Sequence, residues 1–129
     1  RRRRTRRLHQ VWLHVYDIDT ITSHLNVALT ALNLGAFHCG VEVLGDEWFF
    51  AWGASDLSGV VWNEPKKHQV HIYRESVPMG ESPLSEEEIR NAIADRMDRW
   101  AANSYHPISR NCVTFAEELA TSLQAPNAF

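Results

Sequence analysis

The stretch "FHCGVEVLGDEWFF", from Phe37 to Phe50, contains two runs of β-branched and aromatic residues on either side of Gly45 and Asp46. Residues of these types favour extended strands, and a Gly-Asp pair between two such runs is typical of a tight hairpin turn. The stretch therefore predicts two neighbouring antiparallel strands. We expect the elements on both sides of it to pack around this hairpin.

The first strand of the hairpin has two chemically different faces. Strand alternation points Cys39 toward the core and His38 toward the opposite face. Gly40 lies beside His38 on that face, and its missing side chain leaves room for a substrate backbone to approach. We therefore interpret Cys39 as a packing residue and His38 as a candidate catalytic base.

The chain before the hairpin predicts a strand and a short helix. "VWLHVYD", from Val11 to Asp17, alternates apolar and polar residues, as a strand with one buried face does, and this pattern places His14 on the face toward solvent. The spacing of apolar residues then becomes helical, and Gly35 suits the left-handed position that ends a helix. A helix is expected over residues 24–34.

The chain after the hairpin predicts one more strand and a long helix. "VHIYRESV", from Val70 to Val77, is rich in β-branched residues and favours a strand. "LSEEEIRNAIADRMDRW" then opens with Ser85 and Glu88 at capping-box spacing. Apolar residues recur on one face of this predicted helix, namely Ile89, Ile93, Met97 and Trp100.

A last helix is predicted close to the end of the chain, with a cysteine in its first turn. Phe115, Leu119 and Leu123 share one face of it, while Ser109 and Asn111 are both able to cap its start. Cys112 then lies near free backbone N–H groups and the positive end of the helix dipole, which favour a thiolate over a thiol. This placement makes Cys112 a candidate nucleophile, and we expect it to be solvent-reachable.

Composition limits the class of protein. A chain of 129 residues, with 44% hydrophobic and 22% charged residues, is typical of one globular domain. No apolar run approaches the roughly 20 residues that a membrane span requires. Two cysteines cannot form the dense disulfide framework of a small secreted protein, so we expect a reducing setting in the cytoplasm, the nucleus or both.

Charge divides the chain into a basic arm and an acidic body. "RRRRTRR" holds six of the thirteen Lys and Arg residues, which leaves seven against sixteen acidic residues. We expect residues 1–8 to be a disordered or partly artificial arm and residues 9–129 to be one domain. The acidic body makes nucleic acid an unlikely partner of the domain, because phosphate contacts need basic surfaces.

The remaining histidines give weaker candidates. His106 lies in the loop before Cys112 and is an alternative base. His68 and His71, three residues apart on an expected strand, would point to opposite faces and could not share a metal ion. We therefore predict no metal site and no cofactor.

Two segments together resemble the PPPDE family of permuted papain-fold cysteine peptidases, which includes the desumoylating isopeptidases. "AFHCGVEVLGDEWFFAWG" is similar to the segment around that family's active-site histidine, and "SYHPISRNCVTFAEELATSL" to its Tyr, spacer, Asn-Cys and Phe block. The resemblance covers roughly residues 10–126. Some positions depart from the family pattern: Val113 follows the cysteine where Asn is common, and Cys39 follows the histidine where Ser or Thr is usual. Ala51 and Trp52 replace glycines that are common in the family's aromatic hairpin.

The resemblance implies a fold and a chemistry. The fold would be α+β and permuted papain-like, with an antiparallel sheet packed with helices. Cys112 and His38 would form a Cys-His dyad that cleaves SUMO or ubiquitin from lysine in a conjugated protein. The backbone N–H of Cys112 would serve as an oxyanion donor, with Asn111 and Tyr105 as supporting residues. Neither a second oxyanion donor nor a third residue orienting His38 is identified.

Two alternative functions stay open from the sequence. The family related to lecithin-retinol acyltransferase also has an upstream histidine and a late Asn-Cys block, so a thiol acyltransferase or phospholipase is one alternative. A module that binds a ubiquitin-like protein without cutting it is the other. The choice between SUMO, ubiquitin and another acyl substrate is also open, as is the oligomeric state, with a homodimer as one option.

Overall fold

A five-stranded antiparallel sheet forms the centre of the computed structural model, which describes residues 8–17 and 37–128. Its strands lie in the order β4-β3-β2-β1-β5. In chain order the elements are β1 (His9–Asp17), β2 (Phe37–Val43), β3 (Asp46–Phe50), β4 (Val60–Asn63), β5 (Ile72–Ser82), helix α1 (Glu86–Arg99), a 3-10 turn (Ala102–Ser104) and helix α2 (Cys112–Ser122). The helix expected over residues 24–34 and the basic arm up to residue 7 lie outside the described residues.

The predicted hairpin is present, with its turn one residue earlier than expected. Leu44 and Gly45 have φ values of 55° and 84°, so both turn residues adopt the left-handed conformation that a two-residue hairpin needs. Asp46 already belongs to β3. The sequence analysis missed β4, a four-residue strand that pairs with β3.

Strand β1 is covered on both faces, which contradicts the expectation that His14 faces solvent. His14 is only 1% exposed; its two ring nitrogens lie 2.7 Å from Ser76 Oγ and 2.7 Å from Glu42 Oε1. His14 pairs with Gly40 and Tyr16 pairs with His38, so alternation assigned His14 to the correct face of the sheet. That face is covered by a polar layer rather than by solvent, which the alternation of a single strand does not show.

The expectation that Gly40 leaves space for substrate is also wrong, because the side chain of Glu47 fills that space. Glu47 is fully buried, and the Tyr16 hydroxyl donates to its carboxylate at 2.8 Å. The backbone N–H of Lys66 donates to the same carboxylate at 2.9 Å. A buried carboxylate requires such donors. The three groups join β1, β3 and the segment before β5 beneath the face that carries His38.

Both described helices pack against the other face of the sheet, where the core lies. The predicted capping box of α1 is confirmed, with Ser85 as the cap and Glu88 reaching back to it. Three residues of its predicted apolar face are buried, namely Ile89, Ile93 and Trp100. The prediction was wrong for Met97, which is 39% exposed. All three predicted core residues of α2 are buried, namely Phe115, Leu119 and Leu123.

Neither helix within residues 8–17 and 37–128 combines the length and the apolar character that a membrane crossing requires.

Replacing Gly40 by Ala is expected to destabilise the fold, because the new Cβ would lie 2.7 Å from the Cγ of buried Glu47. Overpacking of this kind costs about 1–3 kcal/mol. The measurement is the free energy of unfolding in urea. Gly45→Ala is the matched control, because its new Cβ would have nothing within 4 Å. Any loss of stability in that variant comes only from the backbone φ of 84°. A Gly40→Ala chain as stable as the wild type would contradict the described packing.

Candidate active site

The start of α2 presents Cys112 in the first turn, and Asn111 caps that turn. Asn111 Oδ1 accepts hydrogen bonds from the backbone N–H groups of Val113 and Thr114, both at 3.0 Å, while its Nδ2 donates to Pro107 O at 2.9 Å. Of the two candidate caps, the structure therefore selects Asn111. These bonds occupy the side chain, so Asn111 fixes the start of the helix that carries Cys112 and does not orient His38.

The first turn of α2 packs directly against the beginning of β2. Cys112 Sγ lies 3.5 Å from Phe37 O, and Cys39 Sγ lies 3.5 Å from Cys112 O. Cys112 is consequently 5% exposed and Cys39 4% exposed. The expectation that Cys112 is solvent-reachable is wrong, because the helix start is pressed onto the sheet.

The environment of Cys112 favours its thiolate. Its pKa is lowered to about 4, first because the Cys39 side chain hydrogen bonds to it and then because His38 supplies a hydrogen bond and an attractive charge; burial opposes the change. The pKa of Cys39 is raised well above its usual range by the same hydrogen bond to Cys112, by burial and by the neighbouring charge. At neutral pH the pair consists of a Cys112 thiolate and a Cys39 thiol.

His38 is held by packing rather than by a third polar residue. It is 6% exposed, and its ring centroid lies 4.7 Å from that of Phe49 and 5.4 Å from that of Tyr16. Within the described part of the chain, His38 Nε2 has no hydrogen-bond partner. The nitrogen that reaches Cys112 is therefore Nδ1. The structure brings together the two residues that the sequence analysis selected as nucleophile and base.

Two more histidines lie beside His38, contrary to the argument from strand alternation. His68 and His71 precede β5 in a bend, and a bend does not impose alternating faces. Their rings stack at 4.3 Å and lie 4.6 and 4.9 Å from the ring of His38. Burial, followed by the charges of the other two histidines, lowers the pKa of His68 to about 4.

The three histidines bring candidate metal-ligand atoms within 4.8 Å of one another. His68 Nδ1, however, accepts hydrogen bonds from the backbone N–H groups of Val70 and His71, at 3.0 and 3.1 Å. Its neutral ring then carries the proton on Nε2 and has no lone pair for an ion. In this arrangement His68 presents a neutral ring to the candidate base.

Tyr105 lies against Cys112 from the side of the 3-10 turn. Its ring packs on Phe50 at 5.1 Å, and its hydroxyl lies within hydrogen-bonding reach of the backbone and the sulfur of Cys112. Burial, and then the negative charge of Cys112, raises the pKa of Tyr105, so the hydroxyl keeps its proton. A protonated hydroxyl next to a helix-start N–H can donate to a developing oxyanion.

His106, the alternative base, has a local role in the structure. Its Nδ1 accepts hydrogen bonds from the backbone N–H groups of Ile108 at 3.2 Å and Ser109 at 3.3 Å. These bonds close the turn that leads to α2.

A cavity of about 330 Å³ opens in front of His38. Tyr105, Trp52 and Val70 contribute to its wall. Trp52 and Val70 are 68% and 70% exposed, so the mouth of the cavity is apolar. His38 and Tyr105 line this space, and both contact the buried Cys112 thiolate behind them. A thiolate, an imidazole and a protonated hydroxyl are the parts that acyl transfer through a thioester requires.

Sequence reasoning missed several residues of this site. The Tyr16–Glu47 pair and the two additional histidines gave no local signal, because long-range packing brings them together. Cys39 was interpreted as packing alone, although its side chain also contacts Cys112. The available signal was that Cys39 directly follows His38. A residue that packs against the end of a strand can contact two neighbouring residues of that strand, even though their side chains point to opposite faces.

Comparison with known proteins gives one family and two relatives. The family model described as "PPPDE putative peptidase domain" matches residues 9–128. A protein of Caenorhabditis elegans named "Desumoylating isopeptidase 1 homolog" is 34% identical over 122 residues, which cover 92% of this chain and 35% of that protein. A DeSI-like protein of Arabidopsis thaliana is 29% identical over 116 residues, which cover 90% of this chain and 50% of that protein. The chain thus spans half or less of either relative.

Iodoacetamide is expected to modify Cys112 at least about tenfold faster than Cys39 at neutral pH, because the thiolate is the reactive form. Peptide mapping after timed quenching gives both rates from one sample. His38→Ala should reduce the difference, since it removes a group that stabilises the Cys112 thiolate.

His106→Ala is the matched control, because it replaces the alternative base and should leave the ratio of rates unchanged. Equal rates for the two cysteines of the wild-type chain would contradict the described thiolate. A collapse of the ratio in His106→Ala alone would transfer the role of base to that residue.

Proposed function

Since this chain belongs to the PPPDE putative peptidase domain family, we propose that it is a thiol isopeptidase that hydrolyses the bond between a ubiquitin-like modifier and a lysine side chain. Cys112 is the nucleophile and His38 the base in this proposal. The observation that carries it is the contact between buried Cys112, whose pKa is lowered, and His38, which lines an open cavity.

The first half of the reaction forms a thioester. The Cys112 thiolate attacks the carbonyl carbon of the isopeptide bond, and the carbonyl electron pair moves onto oxygen. When the tetrahedral intermediate collapses, the carbon–nitrogen bond breaks and the His38 imidazolium gives its proton to the departing lysine amine. The modifier is left joined to Cys112 through its carboxyl-terminal carbon.

The second half restores the enzyme. His38, now neutral, takes a proton from a water molecule while the water oxygen attacks the thioester carbon. Collapse of the second tetrahedral intermediate releases the modifier's carboxylate and the Cys112 thiolate. Because the imidazole that lost a proton in the first half gains one in the second, the ion pair of Cys112 and His38 is regenerated.

Two donors are assigned to the oxyanion. The backbone N–H of Cys112 belongs to the start of α2, where no intrahelical acceptor exists for it. The Tyr105 hydroxyl lies beside that N–H and retains its proton. In similar sites one such donor lowers the barrier by about 3–4 kcal/mol, so both are expected to contribute measurably.

The substrate class rests on the relatives and on the cavity mouth. One relative carries the name of a desumoylating isopeptidase, and SUMO is therefore the preferred modifier in this proposal. Trp52 and Val70 offer exposed apolar surface next to the cavity, which suits contact with a folded protein substrate. A permuted papain-like topology and a cytoplasmic or nuclear setting belong to the same proposal.

The decisive test uses SUMO and ubiquitin probes that bear an electrophile at the carboxyl terminus. We expect a covalent adduct with the SUMO probe on Cys112, visible as a mass increase and located by peptide mapping. Cys112→Ser should form none, because a serine hydroxyl lacks the low pKa of the thiolate. As this residue is buried, Cys112→Ser costs about 1–3 kcal/mol of stability, and circular dichroism must show that the variant is folded.

Each outcome of the probe experiment has a defined meaning. An adduct with the ubiquitin probe alone would show that the modifier is ubiquitin instead of SUMO. Adducts with neither probe, from a chain whose Cys112 still reacts with iodoacetamide, would overturn the isopeptidase and favour an acyl substrate of the acyltransferase class. Adducts without turnover of a conjugated protein would favour a binding module.

Tyr105→Phe tests the second oxyanion donor. The change removes one hydroxyl and keeps the ring that packs on Phe50, so we expect kcat to fall about 100-fold with little change in KM. Iodoacetamide labelling of Cys112 should persist, which separates loss of the oxyanion donor from loss of the nucleophile. An unchanged kcat would remove Tyr105 from the mechanism.

A further inference from the structure

Two thiols meet at the candidate active site, although thioester chemistry requires only one. The chain contains two cysteines, and both are free. Cys39 Sγ lies 3.5 Å from the carbonyl oxygen of Cys112, and the two side chains hydrogen bond to each other. Cys39 is thus a core residue whose sulfur also contacts the residue that carries the candidate nucleophile.

We propose that Cys112 and Cys39 form an oxidation site, in which hydrogen peroxide oxidises Cys112 and Cys39 then closes an intramolecular disulfide. The chemistry of this site stands on the two thiols alone. Its consequence, reversible loss of isopeptidase activity, rests on the proposed function.

The first step is a two-electron oxidation of Cys112. The thiolate attacks one oxygen of hydrogen peroxide, so that a sulfur–oxygen bond forms and the oxygen–oxygen bond breaks. The departing hydroxide takes a proton and becomes water, while Cys112 becomes a sulfenic acid. Peroxide is reduced and the sulfur is oxidised, so the electrons balance without another reactant.

The second step joins the two residues. Cys39 sulfur attacks the sulfenic sulfur of Cys112, a sulfur–sulfur bond forms, and the sulfur–oxygen bond breaks. The hydroxyl group leaves as water with the proton that Cys39 gives up. No further oxidant is consumed, and two reduced thiols plus one peroxide have become one disulfide and two water molecules.

The surroundings of Cys39 suit this second role. Cys39 is as buried as Cys112, so its protonation state and not its exposure makes it the slower thiol: it keeps its proton beside the Cys112 thiolate, and peroxide oxidises thiolates. The hydrogen bond to Cys112 and the charge of Cys112 are among the causes that raise its pKa, and both change once Cys112 is a neutral sulfenic acid. Oxidation of Cys112 thus removes part of what holds the proton on Cys39.

The disulfide has a protective consequence. A sulfenic acid that finds no thiol is oxidised further to sulfinic acid, which ordinary thiols cannot reduce. A disulfide between residues 39 and 112 removes the sulfenic acid before that happens, and a small dithiol can restore both cysteines. While it exists, the nucleophile is blocked and thioester formation stops.

The experiment treats the whole chain with hydrogen peroxide, quenches with iodoacetamide, and records intact mass and peptide maps. We expect loss of both alkylatable thiols, a mass lower by two hydrogen atoms, and a peptide pair linking Cys39 to Cys112. Dithiothreitol should restore both thiols. Wild-type chain that gains oxygen on Cys112 and forms no linked peptide, or that links only between molecules, would overturn the proposal.

Two variants complete the test. Cys39→Ser keeps the size of the side chain but cannot form the disulfide, so Cys112 should advance to a sulfinic acid that dithiothreitol does not reverse. Cys112→Ser should leave Cys39 reduced at the same peroxide dose. If circular dichroism shows that Cys39→Ser is unfolded, Cys39→Ala replaces it. Recovery of Cys112 by dithiothreitol in the folded Cys39 variant would overturn the role of Cys39.

Failure of this proposal is distinguishable from failure of the isopeptidase. The readouts are masses of cysteine peptides and use no substrate. A linked peptide in a chain that SUMO and ubiquitin probes do not label would sustain the oxidation site and reject the isopeptidase. Probe labelling in a chain that forms no linked peptide would do the reverse.

Discussion

The packing of the first turn of α2 against the beginning of β2 is the constraint on which the site depends. It brings Cys112 Sγ within 3.5 Å of Phe37 O and Cys39 Sγ within 3.5 Å of Cys112 O. Strand β2 pairs with β3 only from Val41 to Val43. The first residues of β2 therefore have no β3 partner on that side, and the start of α2 can pack against them. The helix is held there by the buried apolar face that begins with Phe115. A residue that docks against a strand end can contact both of its faces, and Cys112 accordingly contacts both Cys39 and His38.

The opposite face of the sheet supplies a second, polar support. Fully buried Glu47 accepts hydrogen bonds from the Tyr16 hydroxyl and from the backbone N–H of Lys66, and thereby fastens the segment that carries His68 and His71. Removing one of these donors would leave a buried carboxylate without a partner, which typically lowers the free energy of unfolding by several kcal/mol. The imidazole of His38 therefore lies in a walled position with one nitrogen toward the nucleophile. The apolar core and the polar layer together fix the side chains of Cys112 and His38 from opposite sides.

Much of this architecture could be predicted from local patterns. The hairpin around Gly45, the capping box of Ser85 and the apolar face of α2 are decided by neighbouring residues, and the structure confirms them. The candidate nucleophile and the candidate base were also selected from the sequence, because a cysteine at a helix start and a histidine beside a glycine are local signals. The two residues lie in separate motifs, and the resemblance of both motifs to one family then linked them.

What could not be predicted depends on contacts between distant segments. Alternation describes one strand at a time, so it cannot show that a polar layer covers His14 or that Glu47 fills the space beside Gly40. The meeting of His68 and His71 with His38 needs the fold, and so does the burial of Cys112. A helix start is exposed by default, and only its docking on β2 removes it from water.

A titration of the thiolate tests the central claim most directly. The thiolate's ultraviolet absorbance is recorded against pH for the wild-type chain and for Cys112→Ala, and the difference isolates Cys112. The account predicts a midpoint near pH 4, and a higher midpoint in His38→Ala, with circular dichroism confirming that each sample stays folded. A wild-type midpoint near the ordinary cysteine value of about 8.5 would show that neither Cys39 nor His38 activates Cys112.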